Sequence, residues 1–228
     1  MFSYKVGIFN LMKIILTGVT GMVGEGVLLV CLENLLVTEV LSISRKPSGR
    51  QHAKLKELVV TDFAEVDRYG AELSGYDACF FCAGVSSIGE NEVSFSKKTF
   101  DFVVPFAETL LRIQPAMTFV YVSGRGTDEH GKAMWAKVKG RTENALMRLP
   151  FKAVYCFRPG FMKPVKGQRN VRGIYRAFEV LYPLWLALLP KWACSMREVG
   201  LAMINCVSSG YDQPVLEVND IRVSAVNG

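Results

Sequence analysis

The sequence offers little with which to bind a metal, a nucleic acid or a membrane. It has two histidines, and its one C-x-x-C, Cys79 to Cys82, lies in an apolar run with no second ligand pair, so neither a metal site nor a redox motif is expected. The six cysteines (Cys31, Cys79, Cys82, Cys156, Cys194, Cys206) mostly occupy apolar stretches, where a reduced thiol is a small core residue; a reducing, cytoplasmic compartment is expected. The formal charge of +6 admits anionic partners, but no block of Lys and Arg is long enough for a nucleic-acid arm. The opening MFSYKVGIFNLM has neither a long apolar core nor a small-residue cleavage site, so no signal peptide is expected. Either a short extra strand or an upstream start before Met12 suits it. The most apolar later segment, Val180 to Pro190, is broken by Pro183 and flanked by Arg176, Glu179 and Lys191. It is shorter than the roughly 20 residues that span a bilayer, and no transmembrane segment is expected. No internal repeat or low-complexity linker appears. One domain over 1–228 is therefore expected, with a core at 13–160 and a small C-terminal region at 161–228 packed on it.

What is present begins with KIILTGVTGMVGEG, Lys13 to Gly26. A short apolar run ends at Thr17, glycines follow at 18, 21 and 24, and apolar residues then recur at helical spacing (Val23, Val27, Leu28, Val30, Cys31). The pattern predicts a buried strand, a tight turn and a helix start. Gly18 allows the turn, Gly21 the approach of a pyrophosphate and Gly24 close packing of helix on strand. The backbone through Gly18, Thr20, Gly21, Met22, Val23 and Gly24 is the candidate cradle for a dinucleotide, with the helix N-terminus favouring its phosphates.

Further βα units follow. Val40 to Ser44 reads as a second strand ending in Arg45-Lys46-Pro47. In a dinucleotide fold this position faces the adenosine ribose: a carboxylate there binds the 2′-hydroxyl, an Arg a 2′-phosphate. Arg45 and Lys46 favour NADP(H) over NAD(H), although a solvated basic turn before proline remains open. Leu58 to Thr61 predicts a third strand. After it, Asp62 can accept from the adenine amino group with Phe63 beside the ring, or Asp62 can cap a helix starting at Ala64. Tyr76 to Ala83 has the continuous apolarity of a strand covered on both faces, and Cys82-Ala83-Gly84 at its end admits a cofactor backbone. A long helix over about 95–113, a strand Met117 to Val122 and a strand Ala153 to Phe157 complete the reading. The alternation predicts an α/β, Rossmann-like doubly wound parallel sheet with a small, mainly helical C-terminal region covering the substrate.

Val122-Ser123-Gly124, followed by Trp135-Ala136-Lys137-Val138-Lys139, resembles the active-site region of the short-chain dehydrogenase/reductase superfamily. The resemblance is to its extended and atypical branch: NAD(P)-binding epimerase/dehydratase-like proteins and Tat-interacting-protein-type oxidoreductases. It runs from about Lys13 to Gly160 and takes in the glycine motif, Asp62, Cys82-Ala83-Gly84 and Arg158-Pro159-Gly160. It implies that Ser123 orients the substrate oxygen and that Lys139 holds the ribose, with Pro159 and Gly160 beside the nicotinamide. The family's proton-transferring Tyr stands four residues before its Lys; here that position is Trp135, whose indole N–H donates but does not titrate.

Three readings are therefore open. Trp135 silences the site, or another group supplies the proton (His130, Asp128, Tyr121 or Tyr155), or water does. Lys139 can alternatively pair with Glu143 on the helix surface. The resemblance implies an NADP(H)-binding oxidoreductase or epimerase-like enzyme. Its substrate would be a small carbonyl or alcohol, or a nucleotide-sugar-like molecule, and a homodimer is the partner to expect. The alternative is a catalytically silent NADP(H) sensor or scaffold. The basic residues Lys163, Lys166, Arg169 and Arg172, and the apolar stretch Tyr175 to Leu189 after them, read as a hydrophobic lid, a subunit contact or a membrane-surface contact.

Overall fold

The computed structural model describes residues 11–171 and 191–226. The expectations for the first ten residues, for Arg172 and for the stretch Tyr175 to Leu189 lie outside them. The elements follow in the order β1 (Met12–Thr17), α1 (Met22–Glu33), β2 (Val37–Ser44), β3 (Leu55–Val59), a 3-10 turn (Phe63–Tyr69), α2 (Gly70–Leu73), β4 (Ala78–Phe81), α3 (Glu92–Lys97), α4 (Phe100–Ile113), β5 (Thr118–Val122), α5 (Met134–Met147), β6 (Ala153–Arg158), β7 (Phe161–Lys163), β8 (Ala193–Ser195), α6 (Met196–Ser208), β9 (Val215–Glu217) and α7 (Val218–Val226).

Seven strands form one parallel sheet in the order β3-β2-β1-β4-β5-β6-β9, and β7 pairs with β8 in a separate two-stranded ladder. Successive side chains of a strand point to opposite faces, and both faces are covered. Ile14, Leu16, Phe80, Val120 and Phe157 pack with α1, α6 and α7. Ile15, Cys79, Phe81, Phe119 and Tyr121 pack on the other side, chiefly with α4. That double burial explains why the strands read as unbroken apolar runs. The strand order reverses between β1 and β4, so the crevice for a ligand opens above their carboxyl ends.

Three local expectations are corrected. The single helix over 95–113 is two: α3 is capped by Asn91 and ends at Lys97, and the chain leaves helical geometry at Thr99. The restart at Phe100 places Pro105, which lacks an N–H, in the second turn of α4. The helix expected from Ala64 is a 3-10 turn starting at Phe63. The third strand lies at Leu55–Val59, earlier than expected, because its register is set by pairing Val40 to Leu55 and Ser44 to Val59.

The carboxyl half of the sheet is tied to α5 by a buried ion pair. Glu143, 1% exposed, accepts from both Nε and Nη2 of Arg158 at the end of β6, and Arg158 reaches Glu217 of β9 at 3.2 Å. Hydrogen bonding by Glu143 holds the Arg158 guanidinium further above its ordinary pKa. Removing Glu143 leaves Arg158, 22% exposed, with Glu217 alone, so Glu143→Ala should cost about 1.5–3 kcal/mol. The check is a fall in the urea midpoint with an unchanged denaturant slope.

Candidate functional site

At the reversal of strand order Thr17 stands opposite Phe81, which brings the next residues, Gly18 and Cys82, side by side. Gly18 adopts φ +76°, and a Cβ on it would lie 2.7 Å from both the Cys82 carbonyl carbon and the Ala83 nitrogen. Two backbones touch there, and no side chain fits between them. Thr17 Oγ1 accepts from Ala83 N–H at 3.2 Å and locks the contact. A Cβ on Gly24 would fall 2.2 Å from Gly18 O, so the first turn of α1 sits directly on the loop. Gly21 caps the helix, its N–H donating to Gly18 O at 2.9 Å, with Thr20 exposed beside it and Met22 and Val23 in the first turn. First-turn N–H groups have no intrahelical acceptor and face the crevice as donors for an anion. Gly84 is exposed with open space where its Cβ would be. The cradle fits a dinucleotide pyrophosphate.

On the adenosine side, the Ser44 hydroxyl donates to Lys46 O at 2.6 Å, turning Arg45 and Lys46 outward. Among the described residues neither has a carboxylate partner. Asp62 Oδ1 accepts from Ala64 N–H at 2.9 Å, the capping role. Phe63 is corrected: it is 8% exposed, with its ring centroid 5.0 Å from that of Phe102 and 5.6 Å from that of Phe106, so it belongs to the core and not to an adenine site.

The sequence reading passed over Glu25. It is 1% exposed in the first turn of α1, where its carboxylate accepts from the Arg50 guanidinium, Arg169 N–H at 3.0 Å and Asn170 N–H at 2.7 Å. Burial raises its pKa, but Arg50 and the two N–H groups outweigh this and hold it below the usual carboxylate range. A carboxylate set between Gly24 and Gly26 was the available signal; its partners lie 25 and 144 residues away.

On the substrate side, Ser123 Oγ lies 2.8 Å from Thr127 Oγ1, and the single Thr127 hydroxyl proton goes to Gly124 O at 2.8 Å. Either hydroxyl of the pair can be the donor; with Thr127 turned to Gly124 O, the Ser123 proton goes to Thr127. Lys139 Nζ donates to Ser123 O at 2.7 Å. Burial pushes its pKa down to about 8, against the attraction of Glu143. The surface pairing of Lys139 with Glu143 is corrected as well, since Glu143 is turned inward onto Arg158.

Trp135 lies one helical turn before Lys139 on the same face and lines a cleft of about 870 Å³ with Gly124, Arg125, Phe161, Trp192 and Glu217. Arg125 stacks on Trp192 at 3.9 Å and donates to Lys191 O at 2.8 Å. Pro159 and Gly160 also line it. Gly160 is demanded by a neighbouring backbone, since its Cβ would lie 2.2 Å from Trp192 O.

None of the four alternative proton donors lines this cleft. His130 and Asp128 share an exposed turn, Tyr121 is in the core, and the Tyr155 hydroxyl accepts from Tyr211 N–H at 3.0 Å. Among the described residues no three His, Cys, Asp or Glu are grouped to hold a metal ion. Burial pushes the Cys82 thiol far up, which keeps it protonated.

A family model described as the NAD dependent epimerase/dehydratase family matches residues 14–132. Protein fmp52, mitochondrial, of Emericella nidulans is 27% identical over 207 residues, covering 85% of this chain and 86% of that protein. Leucinostatins biosynthesis cluster protein T of Purpureocillium lilacinum is 29% identical over 252 residues, covering 95% of this chain and 89% of that protein. Among solved structures, the Bordetella bronchiseptica enzyme WbmH in complex with NAD+ is similar at a TM-score of 0.62 and 17% identity, over 87% of this chain and 72% of that one.

Because the Gly24 position is closed by Gly18 O, Gly24→Ala should displace the loop at a cost of about 1–3 kcal/mol. The folded variant should lose at least about tenfold in dinucleotide affinity, or roughly 1.4 kcal/mol. Urea unfolding and a cofactor titration measure the two effects separately.

Proposed function

The chain belongs to the NAD dependent epimerase/dehydratase family, and we propose that within it the protein is an NADP(H)-dependent oxidoreductase acting on a small carbonyl or alcohol. The observation that carries this reading is the glycine cradle ending next to Arg45 and Lys46, with no carboxylate at the close of β2 to meet a ribose 2′-hydroxyl. When bound, the nicotinamide supplies a hydride to a carbonyl carbon or takes one from an alcohol.

This chain's residues would do the rest. Gly18 to Gly24 hold the pyrophosphate, Lys139 reaches a ribose hydroxyl from beneath Ser123 and Gly124, and Trp135 with the exposed rings of Phe161 and Trp192 offers apolar surface to a substrate. The aromatic walls support a small carbonyl, while Arg125, Lys191, Glu217 and Asn219 in the same lining offer polar partners to a hydroxylated one. His130, Asp128, Tyr121 and Tyr155 stand away from the cleft, whereas Lys139 Nζ lies behind its wall, 3.6 Å from where a Cβ on Gly124 would be, so this reading assigns proton delivery to Lys139 or to solvent.

A second reading rests on Trp135 at the position of the family's Tyr: a protein that binds NADP(H) and turns nothing over. Fluorescence titration with NADPH and NADH tests what both readings share. At least about tenfold tighter binding of NADPH is expected, and binding of neither would end both. Trp135→Tyr then separates them. A gain of reductase activity across a carbonyl panel supports the enzyme reading, and none supports the sensor.

If Lys139 supplies the proton, the protonated form is the active one. Reductase turnover should then fall as pH rises through about 8, the value to which burial lowers this amine. A pH profile of kcat/KM that stays flat between about 7 and 9 would exclude Lys139 from that role.

A further inference from the structure

The segment just after β7 is fastened across the phosphate end of the fold. Gln168 Nε2 donates to Met22 O at 2.8 Å, in the first turn of α1, while its Oε1 accepts from Val165 N–H at 2.8 Å. The backbone N–H groups of Arg169 and Asn170 bind the buried Glu25 carboxylate. The Arg50 guanidinium spans Glu25 and Gly167 O, the latter at 2.8 Å.

These bonds locate Arg169 at two points. Its main chain is held on the helix turn that follows Gly24. Its Nη1 lies 3.3 Å from Gly49 O, in the loop that leaves the end of β2 through Arg45 and Lys46. The adenosine ribose of a dinucleotide lies between those same two places, the first turn of α1 and the end of β2. The Arg169 side chain is exposed and has no carboxylate partner among the described residues. Of the cations around this loop, Arg50 is neutralised by Glu25, whereas Arg45, Lys46 and Arg169 have no such partner among the described residues.

We propose that Arg169, delivered from the C-terminal segment by the Glu25 latch, is a specificity-determining ligand for the 2′-phosphate of NADP(H) and acts with Arg45. Glu25 is a positioning residue: it fixes the backbone of Arg169 and leaves the guanidinium to the phosphate, which a planar fork of N–H donors suits. The proposal rests on the NADP(H) reading above and extends it to a residue 124 positions beyond Arg45 in the chain.

The test is calorimetric binding of NADPH, NADH, 2′,5′-ADP and 5′-AMP to the wild-type protein and to Arg169→Ala, Arg169→Lys and Arg45→Ala. Arg169→Ala keeps the main-chain bonds to Glu25, so the latch and the fold should persist. It should weaken NADPH and 2′,5′-ADP by about tenfold while leaving NADH and 5′-AMP within about twofold, with Arg169→Lys in between. If Arg45→Ala abolishes the NADPH preference and Arg169→Ala leaves it intact, the assignment of Arg169 is wrong and the NADP(H) reading stands. If Arg169→Ala weakens all four ligands equally, its role is structural and the proposal also falls. A wild-type protein that binds NADH as tightly as NADPH would overturn the NADP(H) reading itself, and this proposal with it.

Discussion

The site depends on how closely two stretches of backbone approach at the reversal of strand order. Gly18 turns with positive φ directly against Cys82 and Ala83, and Gly24 sets the first turn of α1 on Gly18. Any side chain at either position would force the end of β1 away from the end of β4 or lift the helix from its loop. The crevice between those ends and the donors that face it exist because three backbone segments meet without side chains between them.

Two buried carboxylates then join that crevice to the rest of the chain. Glu25 binds the α1 turn to the β2 loop and to the segment around Arg169, while Glu143 binds α5 to the ends of β6 and β9. Each is almost wholly removed from water, and each has an arginine with further donors or carboxylates around it, which is the condition under which a buried charge is tolerated. One frames the side where an adenosine ribose would lie, and the other frames the floor beneath Lys139 and Ser123.

The substrate end departs from the pattern its relatives suggest. The aromatic in front of Lys139 is Trp135, and the Ser123 hydroxyl lies 2.8 Å from that of Thr127. What remains is a cleft with aromatic walls and, behind Gly124, the Lys139 amine, whose charge is weakened by desolvation. The same lining carries the polar side chains of Arg125, Lys191, Glu217 and Asn219.

Local sequence determined the parallel sheet, the strand-turn-helix at Lys13 to Gly26, the order of the βα units and the placing of Ser123 and Lys139 at a strand end and on a helix. Glycine conformation, apolar runs and i,i+4 spacing act over a few residues and can be read there. The break at Thr99, the inward turn of Phe63, the commitment of Glu143 to Arg158 and the Glu25 latch were decided by tertiary structure alone. Each depends on which distant group fills the space or meets the charge: Phe102 and Phe106 for Phe63, Arg158 for Glu143, the backbone of Arg169 and Asn170 for Glu25. A buried carboxylate carries no local mark of its partner, because the free energy that places it comes from desolvation and hydrogen bonds formed only once the chain has closed.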